Sequence, residues 1–185
     1  HGGEVKDNLE NALLLNEAGD VEEYQVADFQ YAYRDSTLKR LEPLRAAFKP
    51  VVLSANFRLT PGDGEQIKAR AERFLTHRRQ TQPVEPSLGS TFVNPPGDYA
   101  GRLIEAAGLK GVRIGGAEVS QLHANFIINS GGIGAASAQD VIQLISYIQA
   151  IVQQRFAIKL ICEVQLVGEW GPVEPVQPDC VQMQA

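Results

Sequence analysis

Several polar residues in this sequence sit among small, apolar or aromatic neighbours, where side chains able to do chemistry are easiest to pick out. Ser90 and Asn94 lie in Gly89-Ser90-Thr91-Phe92-Val93-Asn94-Pro95-Pro96-Gly97. That spacing can turn a hydroxyl and an amide toward one ligand, and the small residues let the ligand approach the backbone. Most loops of this composition only connect elements, so both readings stand. Glu163 interrupts the apolar run Leu160 to Val167. Alternation leaves open whether its carboxylate meets solvent or points into a site. His123, in Leu122-His123-Ala124-Asn125-Phe126, could serve as a base, although a lone histidine beside a strand is more often structural. Arg34 lies in an aromatic stretch with Tyr31 and Tyr33, a setting that suits recognition of a carboxylate or phosphate but equally a solvated face.

The elements that would position these groups follow from periodicity. Leu9 to Leu15 and Val21 to Val26 read as a β-hairpin around Glu17-Ala18-Gly19-Asp20. Pro50 to Leu59 alternates as a half-buried strand should. Asp63 is placed to cap a helix through about Arg79, with Ile67, Ala71, Phe74 and Leu75 on one face. Gln80 to Gly89 carries two prolines and reads as a linker. Asp98 is expected to cap a short helix ending at Gly108. Val112 to Ile114 and Asn125 to Ile128 read as strands, and Ser137 as the cap of a long helix through Phe156. Ile158 to Val167 reads as a closing strand, followed by a loose proline-containing tail. Strands and helices mix without regular alternation, which points to an α+β fold with antiparallel pairing.

Composition narrows the function classes. The chain has 185 residues, 44% hydrophobic and 21% charged, with a formal charge of -5. A net acidic chain argues against nucleic acid as a partner, and no apolar run approaches the roughly 20 residues that span a bilayer. Cys162 and Cys180 provide neither a disulfide scaffold nor zinc spacing, so a metal-free, reduced, cytoplasmic protein is the simplest expectation. Gly131-Gly132-Ile133-Gly134 lacks the full dinucleotide-binding glycine pattern and reads as a strand-to-helix turn. Composition and pattern alone stop at a soluble α+β protein and name no reaction.

Whole phrases, in order, carry a family likeness. They are Tyr33-Arg34-Asp35-Ser36, Thr81-Gln82-Pro83, Gly89 to Pro95, Gly101 to Gly111, Arg113 to Ser120, His123 to Asn129 and Glu163 to Gly168. The series resembles the UDP-N-acetylenolpyruvoylglucosamine reductase family over about residues 1 to 169. The resemblance implies a bound FAD that takes hydride from NADPH and passes it to the enolpyruvyl ether of UDP-N-acetylglucosamine. It implies Arg34, Ser90 and Glu163 as catalytic residues: Arg34 stabilising developing charge, Ser90 as general acid, and Glu163 near the substrate carboxylate. Tyr33, Asn94 and His123 match positions lining the substrate pocket.

The sequence departs from the family at Val93, where many relatives carry a lysine. The main glycine-rich FAD-binding stretch is also absent, and Gly2 and Gly3 in His1-Gly2-Gly3-Glu4 resemble its end. The mapping implies a partial FAD-binding domain of PCMH-like type over residues 1–84, a small α+β substrate-binding domain over 85–160, and a closing strand and tail over 161–185. On that reading the chain is one part of a longer protein and needs the N-terminal half as a partner. Alone it is expected to bind FAD poorly, to expose apolar surface and not to turn over. Two other readings stay open: an inactive UDP-sugar-binding module, and a related flavin oxidase with another substrate.

Overall fold

The computed structural model describes residues 3–32, 35–40 and 50–170. Two compact units make up the chain, His1–Ala71 and Glu72–Ala185.

In the first unit the expected hairpin forms. Strand β1 (Leu9–Leu15) pairs antiparallel with β2 (Val21–Gln25), in register from Asn11↔Gln25 to Leu15↔Val21. Gly19 takes a left-handed φ of 87°, and Asn16 Oδ1 accepts from the Asp20 amide at 2.9 Å, so both residues build the turn. Strand β3 (Val51–Phe57) pairs with the other edge of β1, giving the order β2-β1-β3. The β1 residues Leu9, Ala12 and Leu14 bury with Phe29, whose ring lies 5.4 Å from Tyr31 and 5.5 Å from Tyr24. Helix α1 (Thr37–Arg40) follows.

The half-buried alternation expected for residues 50–59 is not what β3 shows. All seven of its residues are exposed, Leu53 at 52% and Phe57 at 50%, because no described element covers either face. Helix α2 (Gly64–Thr81), within which the two units divide, starts as expected, with Asp63 Oδ1 accepting from the Gln66 amide at 2.8 Å. Its apolar residues Ile67, Phe74 and Leu75 are nevertheless exposed.

The second unit is a four-stranded antiparallel sheet with two helices, an α+β arrangement. Strands β4 (Ser87–Ser90), β5 (Arg113–Ile114), β6 (Ala117–Val119) and β7 (Phe126–Asn129) lie in the order β4-β7-β6-β5. Strand β4 occupies part of the stretch expected to be a linker. Its pairing with β7 outweighs a weak local pattern.

Helix α3 (Ala100–Ala106) is entered differently from expectation. Asp98 accepts from the adjacent Tyr99 amide and pairs with Arg102, while Asn94 Oδ1 takes the Ala100 amide at 3.1 Å. The helix ends in a Schellman motif: Leu109 N donates to Ile104 O, Gly108 N to Glu105 O, and Gly108 has φ 72°. Leu109 and Ile104 are both buried beneath this turn.

Helix α4 (Ala138–Phe156) opens with a reciprocal capping box between Ser137 and Asp140. Asp140 also accepts from Gly116 N at 3.3 Å, which ties the β5–β6 turn to the start of α4. The core joins Leu103 and Ile104 to Leu144, Ile148 and Val152, with Val119, Phe92 and Leu160. The closing strand expected near Ile158 to Val167 is reduced to a single bridge, Phe92↔Cys162, because Val164 to Val167 leave the ladder. Among the described residues no helix is long and apolar enough to cross a membrane, and no group of three His, Cys, Asp or Glu residues is arranged to hold a metal.

Candidate active-site residues

Ser90 owes its placement to a distortion in β4. The β4–β7 ladder runs Ser87↔Ile128 and then Ser90↔Phe126, with an irregularity between them, and Gly89 takes up φ 79° there. Such bulges re-aim the side chain that follows. Beyond Ser90 the chain stays extended and is held on both sides. Thr91 N donates to Asn125 O at 2.8 Å, Val93 N to Ile161 O at 2.9 Å, and Glu163 N to Thr91 O at 2.8 Å. The backbone of Glu163 thus adjoins the residue next to Ser90. Cys162 Sγ donates to the same Thr91 oxygen at 3.5 Å, and burial pushes its thiol pKa up, leaving it a packing residue.

Ser90, Asn94 and Glu163 have chemistry to spare. The Ser90 hydroxyl and the Glu163 carboxylate make no hydrogen bond or ion pair among the described residues. Asn94 uses its Oδ1 on the start of α3, and its Nδ2 group has no partner among the described residues. Ser90 and Asn94 are half-buried and Glu163 is exposed. A hydroxyl, an amide donor and a carboxylate therefore sit on neighbouring stretches of one unit.

His123 is more committed. Its Nδ1 accepts from the Asn125 amide at 3.2 Å, and its ring meets Phe126 edge-on with centroids 4.9 Å apart. A Cβ on Gly101 would stand 3.2 Å from Cε1 of the ring, so the glycine makes room for the imidazole. Burial lowers the His123 pKa, and the positive charge of Lys110 lowers it further, which favours the neutral ring that an accepting Nδ1 requires.

Tyr33, Arg34 and Gly2 lie outside the described residues. Their neighbours Ala32 and Asp35 exchange two backbone hydrogen bonds, and Asp35 pairs with Arg40. Gly3 is exposed and meets only Asp7 Oδ2, at 3.6 Å from a built Cβ. It lines an open hollow of about 510 Å³ with Lys6, Tyr31, Asp35, Ser36 and Lys39. A separate apolar cavity of about 470 Å³ in the second unit, lined by Leu88, Ile128, Val141, Leu166 and Trp170, contains none of the candidate residues. Sequence reasoning missed Asn125, which is only 4% exposed and holds both the amide and the carbonyl of Phe92. The available signal was an amide side chain between Ala124 and the apolar run Phe126-Ile127-Ile128.

This order of loop, helix, strands and closing glutamate has close counterparts. Residues 81–167 match the profile of the UDP-N-acetylenolpyruvoylglucosamine reductase C-terminal domain. That segment belongs to the reductase family's C-terminal domain. It is 46% identical to the UDP-N-acetylenolpyruvoylglucosamine reductase of Chloroflexus aurantiacus, over 90% of this chain and 54% of that protein. The corresponding reductase of Carboxydothermus hydrogenoformans is 42% identical over 91% of this chain and 53% of its own length. Among solved structures, the reductase of Thermus caldophilus superposes with a TM-score of 0.70 at 33% identity, covering 88% of this chain and 54% of that one. The chain therefore spans about half the length of the relatives it matches.

Proposed function

We propose that this chain supplies the substrate-reducing residues of an NADPH- and FAD-dependent UDP-N-acetylmuramate dehydrogenase, which reduces UDP-N-acetylglucosamine enolpyruvate in peptidoglycan biosynthesis. The observation that carries this reading is a trio of groups uncommitted among the described residues, Ser90 Oγ, Asn94 Nδ2 and the Glu163 carboxylate, on adjoining backbone within the family-matched segment.

Bound FAD, reduced by NADPH, would supply the hydride for the β-carbon of the enolpyruvyl ether. This chain's residues handle the charge and the proton. As the β-carbon is reduced, negative charge grows on the substrate carboxylate and α-carbon, and the Arg34 guanidinium is assigned to stabilise it. Glu163 is assigned a place beside the same carboxylate, where it helps to orient the enolpyruvyl group. The Ser90 hydroxyl then delivers its proton to the α-carbon. A serine is a weak acid, and the step runs because the enolate is a far stronger base than the alkoxide, which solvent reprotonates. Tyr33, Asn94 and His123 line the substrate pocket in this reading, with Asn94 Nδ2 as a donor to the nucleotide-sugar.

The described residues fit FAD only in part. The hollow beside Gly3 presents the Tyr31 and Ser36 hydroxyls, which can donate to phosphate or ring-carbonyl oxygens, next to the Glu4 and Asp35 carboxylates, which pair with Lys6 and Arg40. At about 510 Å³ and open, it is a partial cradle. Together with the exposed β3 strand, this supports residues 1–84 as part of a flavin domain that needs a further segment, and weak FAD binding by the chain alone. The cytoplasm, where nucleotide-sugars are made, is the matching location.

The test separates the half-reactions in the complete protein. Ser90→Ala and Glu163→Gln should leave NADPH-dependent flavin reduction within about twofold, while flavin reoxidation by substrate falls about 100-fold or more. Equal losses in both half-reactions would refute the assigned roles.

A further inference from the structure

We propose that Asn125 is a positioning residue for the reaction, its side chain standing in for a missing strand and fixing the segment that carries Ser90 and Asn94. This inference rests on the proposed reductase reading. The β4–β7 ladder ends at Ser90↔Phe126. One step further, Thr91 N still finds a backbone partner in Asn125 O at 2.8 Å. The chain then turns away through His123, and Phe92 makes no backbone hydrogen bond on that side among the described residues. The Asn125 carboxamide takes its place: Oδ1 accepts from Phe92 N at 2.9 Å, and Nδ2 donates to Phe92 O at 2.8 Å.

A primary amide carries the donor and acceptor of a peptide group in one plane, so it can extend a ladder by one residue. Phe92 is fully buried and Asn125 is 4% exposed, so water cannot replace either bond. Ser90 and Asn94 lie two residues to either side of Phe92. The hydroxyl and the amide assigned to the substrate are therefore registered from one clamped peptide. The clamp is itself braced, because Asn125 N donates to His123 Nδ1 and the His123 ring rests against Gly101.

Two variants in the complete, flavin-loaded protein test this. Asn125→Asp keeps the acceptor for Phe92 N and turns an oxygen toward Phe92 O, and Asn125→Leu removes both bonds at similar volume. Each should slow flavin reoxidation by UDP-N-acetylglucosamine enolpyruvate about 100-fold, the scale of a misplacement of about 1 Å, with NADPH-dependent flavin reduction within about twofold. Hydrogen exchange of the Phe92 and Val93 amides should speed up about tenfold or more, while amides in the middle of α4 stay unchanged. Reoxidation within about threefold of wild type, or equal losses in both half-reactions, overturns the proposal. So does unchanged exchange at Phe92. A wild-type protein that substrate does not reoxidise sinks the reductase reading, and Asn125's part in that reaction with it. Normal wild-type turnover with unaffected variants sinks the positioning role alone.

Discussion

Gly116→Ala is a sharp test of how the second unit is held together. A Cβ built on Gly116 would stand 2.0 Å from Ala135 O, 2.2 Å from Ala135 C and 2.5 Å from Ala136 N. All three are backbone atoms just before the Ser137 cap of α4, so no side chain can rotate out of the way. Relieving the contact needs a shift of about 1 Å in a packed segment, and overpacking of this kind costs about 1–3 kcal/mol. Displacing the turn also endangers the bond from Gly116 N to Asp140 Oδ2, for about 1 kcal/mol more. The expected loss is about 3 kcal/mol.

Gly108→Ala is the control. Gly108 has φ 72° with nothing within 4 Å of a built Cβ, so its cost is conformational only, about 1–2 kcal/mol. Equilibrium urea unfolding should show the Gly116 variant with the larger fall in midpoint at constant m-value. A Gly116→Ala protein as stable as Gly108→Ala, or more so, would refute the reasoning.

Two further expectations follow from His123 and β3. The folded state holds the His123 pKa below its ordinary 6.5, so the unfolded chain takes up the proton first as pH falls. Stability should therefore decline below about pH 6.5 and level off once pH passes the lowered folded value. His123→Gln should flatten that part of the urea-midpoint profile, and identical profiles would contradict it. In β3, Leu53→Lys on the exposed edge strand should reduce self-association of this chain in light scattering without lowering its melting temperature. Unchanged scattering would mean that β3 is not the sticky edge.

The parts of the fold legible in the sequence were those fixed by local chemistry. The β1–β2 hairpin, the Asp63 and Ser137 caps and the Gly108 terminus all depend on side chains within a few residues of the backbone they satisfy. What was misread depends on distant partners. Alternation in Val51–Phe57 and the apolar face of α2 look buried in sequence, but both are exposed. Pairing with β7 makes a strand of Ser87–Ser90, which local composition presents as a linker. Asp98 looks like a helix cap, yet its ion pair with Arg102 and the reach of Asn94 reassign the work. Arg102 holds the Asp98 carboxyl down at about 2, so this pairing persists across ordinary pH. At the candidate site, Ser90, Asn94 and Glu163 were visible as residue types, but their adjacency was not. Contacts between residues some 70 positions apart, such as Glu163 with Thr91, leave no periodic trace.

We propose this chain as part of a working reductase of the enolpyruvyl nucleotide-sugar. The most direct measurement is NADPH consumption by the complete protein, with and without UDP-N-acetylglucosamine enolpyruvate. Consumption that depends on the substrate and yields UDP-N-acetylmuramate is the result expected. Flavin that binds and is reduced by NADPH, but is not reoxidised by this substrate, would contradict it.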